Sequence, residues 1–201
     1  MKTIRATIRS HYILSTVTAI ILGSLANALF NYLNSDVLNW PFFFDSVFTI
    51  IVGIFFGWLP GVITGLLSNV LTEVFRGFEG LYFPFAIVNM ATGLCAGLMA
   101  RDKAVFWTLS RQILLILLLT VVNALLGSLV VIIVYGGLSG SRPDILVSAM
   151  MLTGQGIFTS AFLARIMLNL VDKGIPVVML YSLYLITTRR RKPTREPAVS
   201  E

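Results

Sequence analysis

Residues 158–188 read FTSAFLARIMLNLVDKGIPVVMLYSLYLITT, and how this stretch is counted decides the fold. It closes a region running from 145 to 188. A helix rises about 1.5 Å per residue and needs roughly 17–25 residues to cross a hydrocarbon core of about 30 Å. The region is therefore too long for one span and long enough for two. Two spans would carry Arg189, Arg190, Arg191 and Lys192 to the side opposite the N-terminus, whereas positive residues favour the cytoplasm. Thr153-Gly154-Gln155-Gly156 also interrupts the apolar run, and Arg165, Asn169, Asp172 and Lys173 follow it. The reading is a short outer helix or loop over 144–152, then one long sixth helix over 158–188.

Working outward, coarse spans fall at 12–33, 42–57, 59–75, 82–100 and 110–135. The second and third are short, and Trp58-Leu59-Pro60-Gly61 reads as a tight Pro-Gly turn that makes them a helical hairpin. Of the 201 residues 57% are hydrophobic and 12% charged, against about 25% charged in soluble domains; mean hydropathy is +0.89. The expected fold is an all-α integral membrane protein, a six-transmembrane-helix bundle with both termini cytoplasmic. One membrane domain covers 1–188, and 189–201 reads as a basic, disordered cytoplasmic tail that can touch anionic headgroups. The N-terminal MKTIRATIRSHY lacks a small-residue cleavage site, so the run after it reads as a first transmembrane helix and not as a cleaved signal.

Charge supports the count of six. In this topology 11 basic residues lie inside, and only Arg76, Arg142, Arg165 and Lys173 lie outside. The acids run the other way, with Asp36, Asp45, Glu73, Glu79, Asp144 and Asp172 outside and 3 inside. The net charge of +6 is thus mainly a topology signal, and nothing in it offers a soluble basic surface for nucleic acid. Trp40 falls at the outer boundary and Trp58 and Trp107 at the inner one, as an aromatic belt requires. Cys95 reads as a small packing residue and His11 as an interfacial side chain; one cysteine makes neither an internal disulfide nor a cysteine-based metal site.

The embedded polar groups share one depth. Asn27, Asn31, Asp45, Asn69, Glu73, Asn89, Asn123, Arg165, Asn169, Asp172 and Lys173 all fall in the outer half or centre. A central charge costs roughly 2.5–3.5 kcal/mol on insertion scales, so a one-sided cluster points to a pocket near the outer face. On the sixth helix Arg165, Asn169, Asp172 and Lys173 stand at i, i+4, i+7 and i+8, one face. Trp40, Phe42, Phe43, Phe44, Tyr82 and Phe83 can supply walls suited to a flat heterocycle, and Asn31, Asp45, Glu73, Asn89 and Asn123 polar contacts. The alternative is internal neutralisation, through an Arg165–Asp172 pair or an Asp172–Glu73–Lys173 network. Small residues recur at four-residue spacing in Ala19/Gly23, Gly53/Gly57, Gly61/Gly65 and Gly93/Gly97. Such pairs let helices approach closely. Packing within the bundle accounts for the last three, while Ala19/Gly23 lies toward the cytoplasmic half and faces a partner.

The stretch from Trp40-Pro-Phe-Phe-Phe-Asp-Ser-Val-Phe-Thr-Ile-Ile-Val-Gly through Phe56-Gly-Trp-Leu-Pro-Gly-Val-Ile-Thr-Gly-Leu-Leu-Ser-Asn resembles the substrate-binding S components of energy-coupling factor transporters. Phe85-Ala-Ile-Val-Asn-Met-Ala-Thr-Gly-Leu-Cys-Ala-Gly and Asn169-Leu-Val-Asp-Lys-Gly-Ile-Pro-Val-Val extend the similarity, which covers about 12–188. The resemblance implies a prokaryotic plasma-membrane protein that binds a vitamin or related micronutrient near the outer face. It also implies a transmembrane coupling subunit and two cytoplasmic ATPases as partners, with Ala19 and Gly23 in the partner-contacting motif and Gly in place of the usual second Ala. In riboflavin-type members the last helix offers an Asn and a Lys; Asn169 and Lys173 look similar but are spaced by four and not three.

No cofactor is called for, and the chain carries no P-loop, HExxH or Ser-His-Asp set. A substrate-capture subunit without chemistry of its own is therefore the leading reading. A membrane ligand-sensing domain acting through a separate signalling partner is the alternative. A membrane enzyme using Asp45, Glu73 and Asp172 as acids and bases is a third class, disfavoured by the neighbouring Arg and Lys.

Overall fold

Lipid offers the backbone no hydrogen-bond partner, so an apolar chain satisfies its own amides within helices. The computed structural model describes residues 2–38, 40, 42–140 and 143–190, and among these every regular element is a helix. They are α1 (Lys2–Tyr32, continued by a π-helical turn, Leu33–Leu38), α2 (Val47–Phe56), α3 (Trp58–Phe75) and α4 (Ala86–Met99, entered through a 3-10 turn, Phe83–Phe85). The short α5 (Lys103–Phe106), α6 (Leu109–Tyr135), α7 (Asp144–Met151) and α8 (Ile157–Arg190) follow. Four stretches are long and apolar enough to cross a membrane, Ser10–Leu38, Trp58–Phe75, Leu109–Tyr135 and Ile157–Thr188; Val47–Phe56 and Phe83–Met99 are apolar but shorter. The region after 144 divides into a short α7 and a long α8, with Gly154 at φ +86° between them. Residues 191–201, most of the expected tail, lie outside the described residues.

Two expectations for the second and third helices need correction. Helix α2 starts at Val47 and not at 42, because Phe42–Asp45 runs as non-helical chain. Asn34 Nδ2 donates to the Phe42 carbonyl and the Phe44 amide donates to Asp172 Oδ1 at 2.6 Å, which hold this segment out of the helix. The turn between α2 and α3 is Gly57 alone, at φ +106°. Trp58-Leu59-Pro60-Gly61 is the first turn of α3, where proline's missing N–H costs nothing because that amide would have no helical partner.

Gly53, Gly61, Gly65, Gly93 and Gly97 pack between helices as their spacing predicts. A Cβ on Gly93 would stand 2.2 Å from the Gly61 carbonyl carbon, and one on Gly65 2.5 Å from Asn89 backbone atoms, so α3 and α4 touch backbone to backbone. Gly97 abuts Trp58 and Gly53 abuts Gly93 in the same way. Gly57 has nothing within 4 Å of its Cβ position, so it serves the turn and not the packing. Asn27 stitches α1 to its neighbours: Nδ2 donates to Thr49 Oγ1 (2.9 Å) and Ser68 Oγ (3.0 Å), and Oδ1 accepts from the Phe48 amide (2.9 Å).

One end of the bundle is filled with apolar side chains, Ile50, Ile54, Ala96, Phe106, Leu115, Leu119 and Val177 among them. Trp107 stacks there on Tyr184 at 4.5 Å between ring centroids. At the other end, where α1, α3 and α6 finish and α2 and α4 begin, buried polar side chains take over.

Candidate ligand-binding cavity

That polar end encloses a cavity of about 290 Å³, near the small end of the range for small-molecule sites. Five segments converge on it. The end of α1 and its π-turn bring Asn31 and Ser35, and the extended segment after it brings Trp40, Phe42, Phe43, Asp45 and Ser46. The end of α3 and the turn beyond bring Asn69, Arg76, Leu81, Tyr82 and Phe85, continued by Val88 and Asn89 of α4. Helix α6 adds Asn123 and Gly127, and α8 adds Arg165, Asn169 and Lys173. Non-helical chain between spans is tolerated where it lines such a cavity, which is the position of 42–46.

Nine of the twelve expected substrate-binding residues therefore line one space: Asn31, Trp40, Asp45, Tyr82, Asn89, Asn123, Arg165, Asn169 and Lys173. Phe44, Glu73 and Asp172 do not line it; they build its frame. The Glu73 carboxylate accepts from the backbone amides of Gly80, Tyr82 (2.7 Å) and Phe83 (2.9 Å), fixing the turn that carries Tyr82 and Phe85. Asp172 holds the Phe44 amide with one oxygen and Lys173 Nζ with the other, at 2.6 Å. Phe44, at φ +44°, packs edge-on against Phe42 with centroids 5.7 Å apart.

Internal neutralisation is thus partial. Lys173 pairs with Asp172, donates to Ser46 Oγ and lies 3.9 Å from Asp45 Oδ1. Glu73 takes no part in that cluster, and no Arg165–Asp172 ion pair occurs among the described residues. Burial pushes the Asp45 carboxyl above its ordinary range, and the Lys173 ammonium opposes the rise. Burial also raises the Tyr82 phenol, while Arg76, stacked 4.7 Å from its ring centroid, pulls the other way.

The asparagines divide by what their amides still offer. Asn123 accepts from Thr92 Oγ1 (2.8 Å) and donates to the Leu119 carbonyl (2.8 Å). Asn69 donates to the Tyr82 carbonyl (2.9 Å) and accepts from Asn89 Nδ2 (3.0 Å). Asn89 Nδ2 also donates to the Asp45 carbonyl (3.1 Å), which fixes the amide, and its Oδ1 is buried without a partner. Asn31 Oδ1, Arg76 Nε and Arg165 Nε and Nη2 are likewise buried and unpartnered. Groups of this kind are rare in native proteins and each calls for an explanation; all four of these residues line the cavity.

Ser35, Arg76 and Phe85 are among the lining residues that the sequence did not single out. Arg76 had one signal, since it follows Glu73 by one helical turn; Phe85 had none beyond its aromatic character. Among the described residues no cluster of His, Cys, Asp or Glu is placed to hold a metal. Of the expected partner pair, Ala19 is half-buried, whereas a Cβ on Gly23 would meet Val52, Thr64 and Phe48 at 3.2–3.5 Å, inside the bundle.

Apolar helices of spanning length surrounding a polar cavity define a multi-pass membrane protein built to hold a small molecule. The family described as "ECF transporter, substrate-specific component" matches residues 34–184. The chain belongs to that family, whose members are transporter components and not enzymes. A small-molecule substrate and membrane partners of the ECF complex follow from membership. No curated protein and no solved structure matches the chain.

Proposed function

We propose that this chain is the substrate-capture subunit of an ECF-type importer at a prokaryotic plasma membrane, taking a vitamin-sized micronutrient from the exterior. A transmembrane coupling subunit and two cytoplasmic ATPases supply the work. The observation that carries the reading is that four residues with unpartnered buried polar atoms, Asn31, Arg76, Asn89 and Arg165, line one cavity. Six crossings with both termini cytoplasmic open that cavity to the outer face, and the 11 basic residues of the opposite side support this orientation.

Alanine at Asp45, Asn89, Asn169 or Lys173 weakens small-molecule binding by at least about 3- to 10-fold each, the worth of one hydrogen bond, while the protein stays folded. Unchanged affinity in all four variants contradicts the site. Partner docking is assigned to the outer surface of α1 around Ala19. Ala19→Leu blocks co-purification with a coupling subunit and spares binding; normal assembly refutes that assignment. Gly23→Leu is unsuitable for this test, because its side chain would strike Val52 and Thr64 and disturb the bundle itself.

A further inference from the structure

Arg165 is the most consequential side chain that the fold leaves unexplained. It is 1% exposed, yet its Nε and Nη2 donate to nothing. A buried guanidinium without a partner costs several kcal/mol, so natural chains rarely keep one for structure alone. Its surroundings are arranged to hold it in place and not to neutralise it. Phe43 and Phe85 stand with ring centroids 5.9 and 5.7 Å from its Cζ. Across from it α6 carries Gly127, where a Cβ would come 3.3 Å from Arg165 Cδ, so the glycine leaves room for the stem. Asp144 exerts its field on Arg165 but forms no ion pair with it, and its carboxylate accepts from the Ser139 amide at 2.6 Å.

The two unpartnered donors are the pair that matters. Nε–H and one Nη2–H lie side by side on one edge of the guanidinium plane, and their spacing matches the two oxygens of a carboxylate. The other cations of the cavity are already engaged: Arg76 pairs with Asp36 and Lys173 with Asp172. Among the described residues one cavity cation is therefore left for a ligand, which fits a monoanion; a phosphate dianion would call for a second. Elsewhere in the cavity the fixed, unpartnered Oδ1 of Asn89 needs a donor.

We infer that Arg165 is the anchor for a ligand carboxylate, and that the captured molecule is a small monocarboxylic acid with a separate N–H or O–H group facing Asn89. This rests on the capture reading above and narrows its substrate class.

The test uses the full-length chain purified in detergent from cells grown in complete medium, and the probe is its own small-molecule extract read by mass spectrometry. Wild type, Arg165→Met, Arg165→Lys and a control remote from the cavity, Arg111→Gln, are compared. The expected result is a carboxylic acid present in wild type and control, lower by about 30-fold or more in Arg165→Met, as for a lost charge-assisted hydrogen-bond pair. Arg165→Lys keeps the charge but not the two-donor edge and falls between. A retained molecule that is neutral or phosphorylated, or an acid that Arg165→Met retains fully, overturns the anchor and leaves capture standing. An empty wild-type extract overturns capture and the anchor with it. The melting temperature of each emptied variant supplies a second readout. Removing an unpaired buried charge leaves it unchanged or higher, whereas a fall of more than about 5 °C, or failure to fold, makes Arg165 structural and overturns the inference.

Discussion

Asp172 shows how one buried carboxylate on α8 organises a site it does not enter. Its two oxygens divide between the Phe44 amide and Lys173 Nζ, both at 2.6 Å, so it joins the non-helical 42–46 segment to the helix that brings Arg165 and Lys173 to the cavity. Asp172→Ala removes both bonds at once and leaves Lys173 with Asp45, at 3.9 Å, as its one carboxylate among the described residues. Breaking a buried pair by deleting one partner costs about 3–5 kcal/mol, and a loss of that size in detergent unfolding, together with weakened binding, is expected. Asp172→Asn keeps an acceptor for Phe44 and loses less. A stability equal to wild type in the alanine variant would show that the segment is held by other means. Spacing placed Asp172 on the face of α8 that carries Arg165, Asn169 and Lys173, but it could not tell a side chain that lines the cavity from one that grips a loop 128 positions away.

Between elements, the contact of α3 with α4 is the most extensive in the bundle, and it is made by absent side chains. Gly93→Ala would place a methyl 2.2 Å from the Gly61 carbonyl carbon, a backbone atom that cannot rotate away. The helices must part, and Asn69 and Asn89, which bond across this contact at 3.0 Å, part with them. The expected outcome is a loss of about 3 kcal/mol or more, in the class of core overpacking, with binding impaired. Gly57→Ala meets no atom and pays only for a backbone at φ +106° and ψ 174°, a region almost reserved for glycine that costs about 1–3 kcal/mol. Thermal unfolding that ranks Gly57→Ala as the more harmful would contradict this division. Four-residue spacing made the packing glycines legible because helical period and close approach are both local properties. The role of Gly57 was hidden, since a glycine that packs and a glycine that turns look alike until the backbone is seen. The helical start of α2 was misplaced for a related reason: Phe42-Phe43-Phe44 is apolar enough for a span, and bonds to Asn34 and Asp172 hold it as non-helical chain.

For the molecule as a whole, the arrangement of long and short helices followed from apolar run lengths and from the distribution of lysine and arginine. Both are sums over many residues and survive errors at any one. That the embedded polar residues gather at one end of the bundle was legible for the same reason, because polar residues inside apolar runs are few and expensive. The individual lining of the cavity was less so. Arg76 and Phe85 come from loops whose course depends on Glu73 gathering three backbone amides. A count of unpartnered atoms, the property that separates Asn89 and Arg165 from Asn69 and Asn123, exists only in three dimensions.

The central claim is that this polar end holds one small molecule, and native mass spectrometry of the detergent-purified chain tests it most directly. The account predicts a population heavier than the bare polypeptide by the mass of one small molecule, lost when Asn89 and Asn169 are both replaced by alanine. Bare polypeptide mass alone, after purification from complete medium with the fold intact, would contradict it.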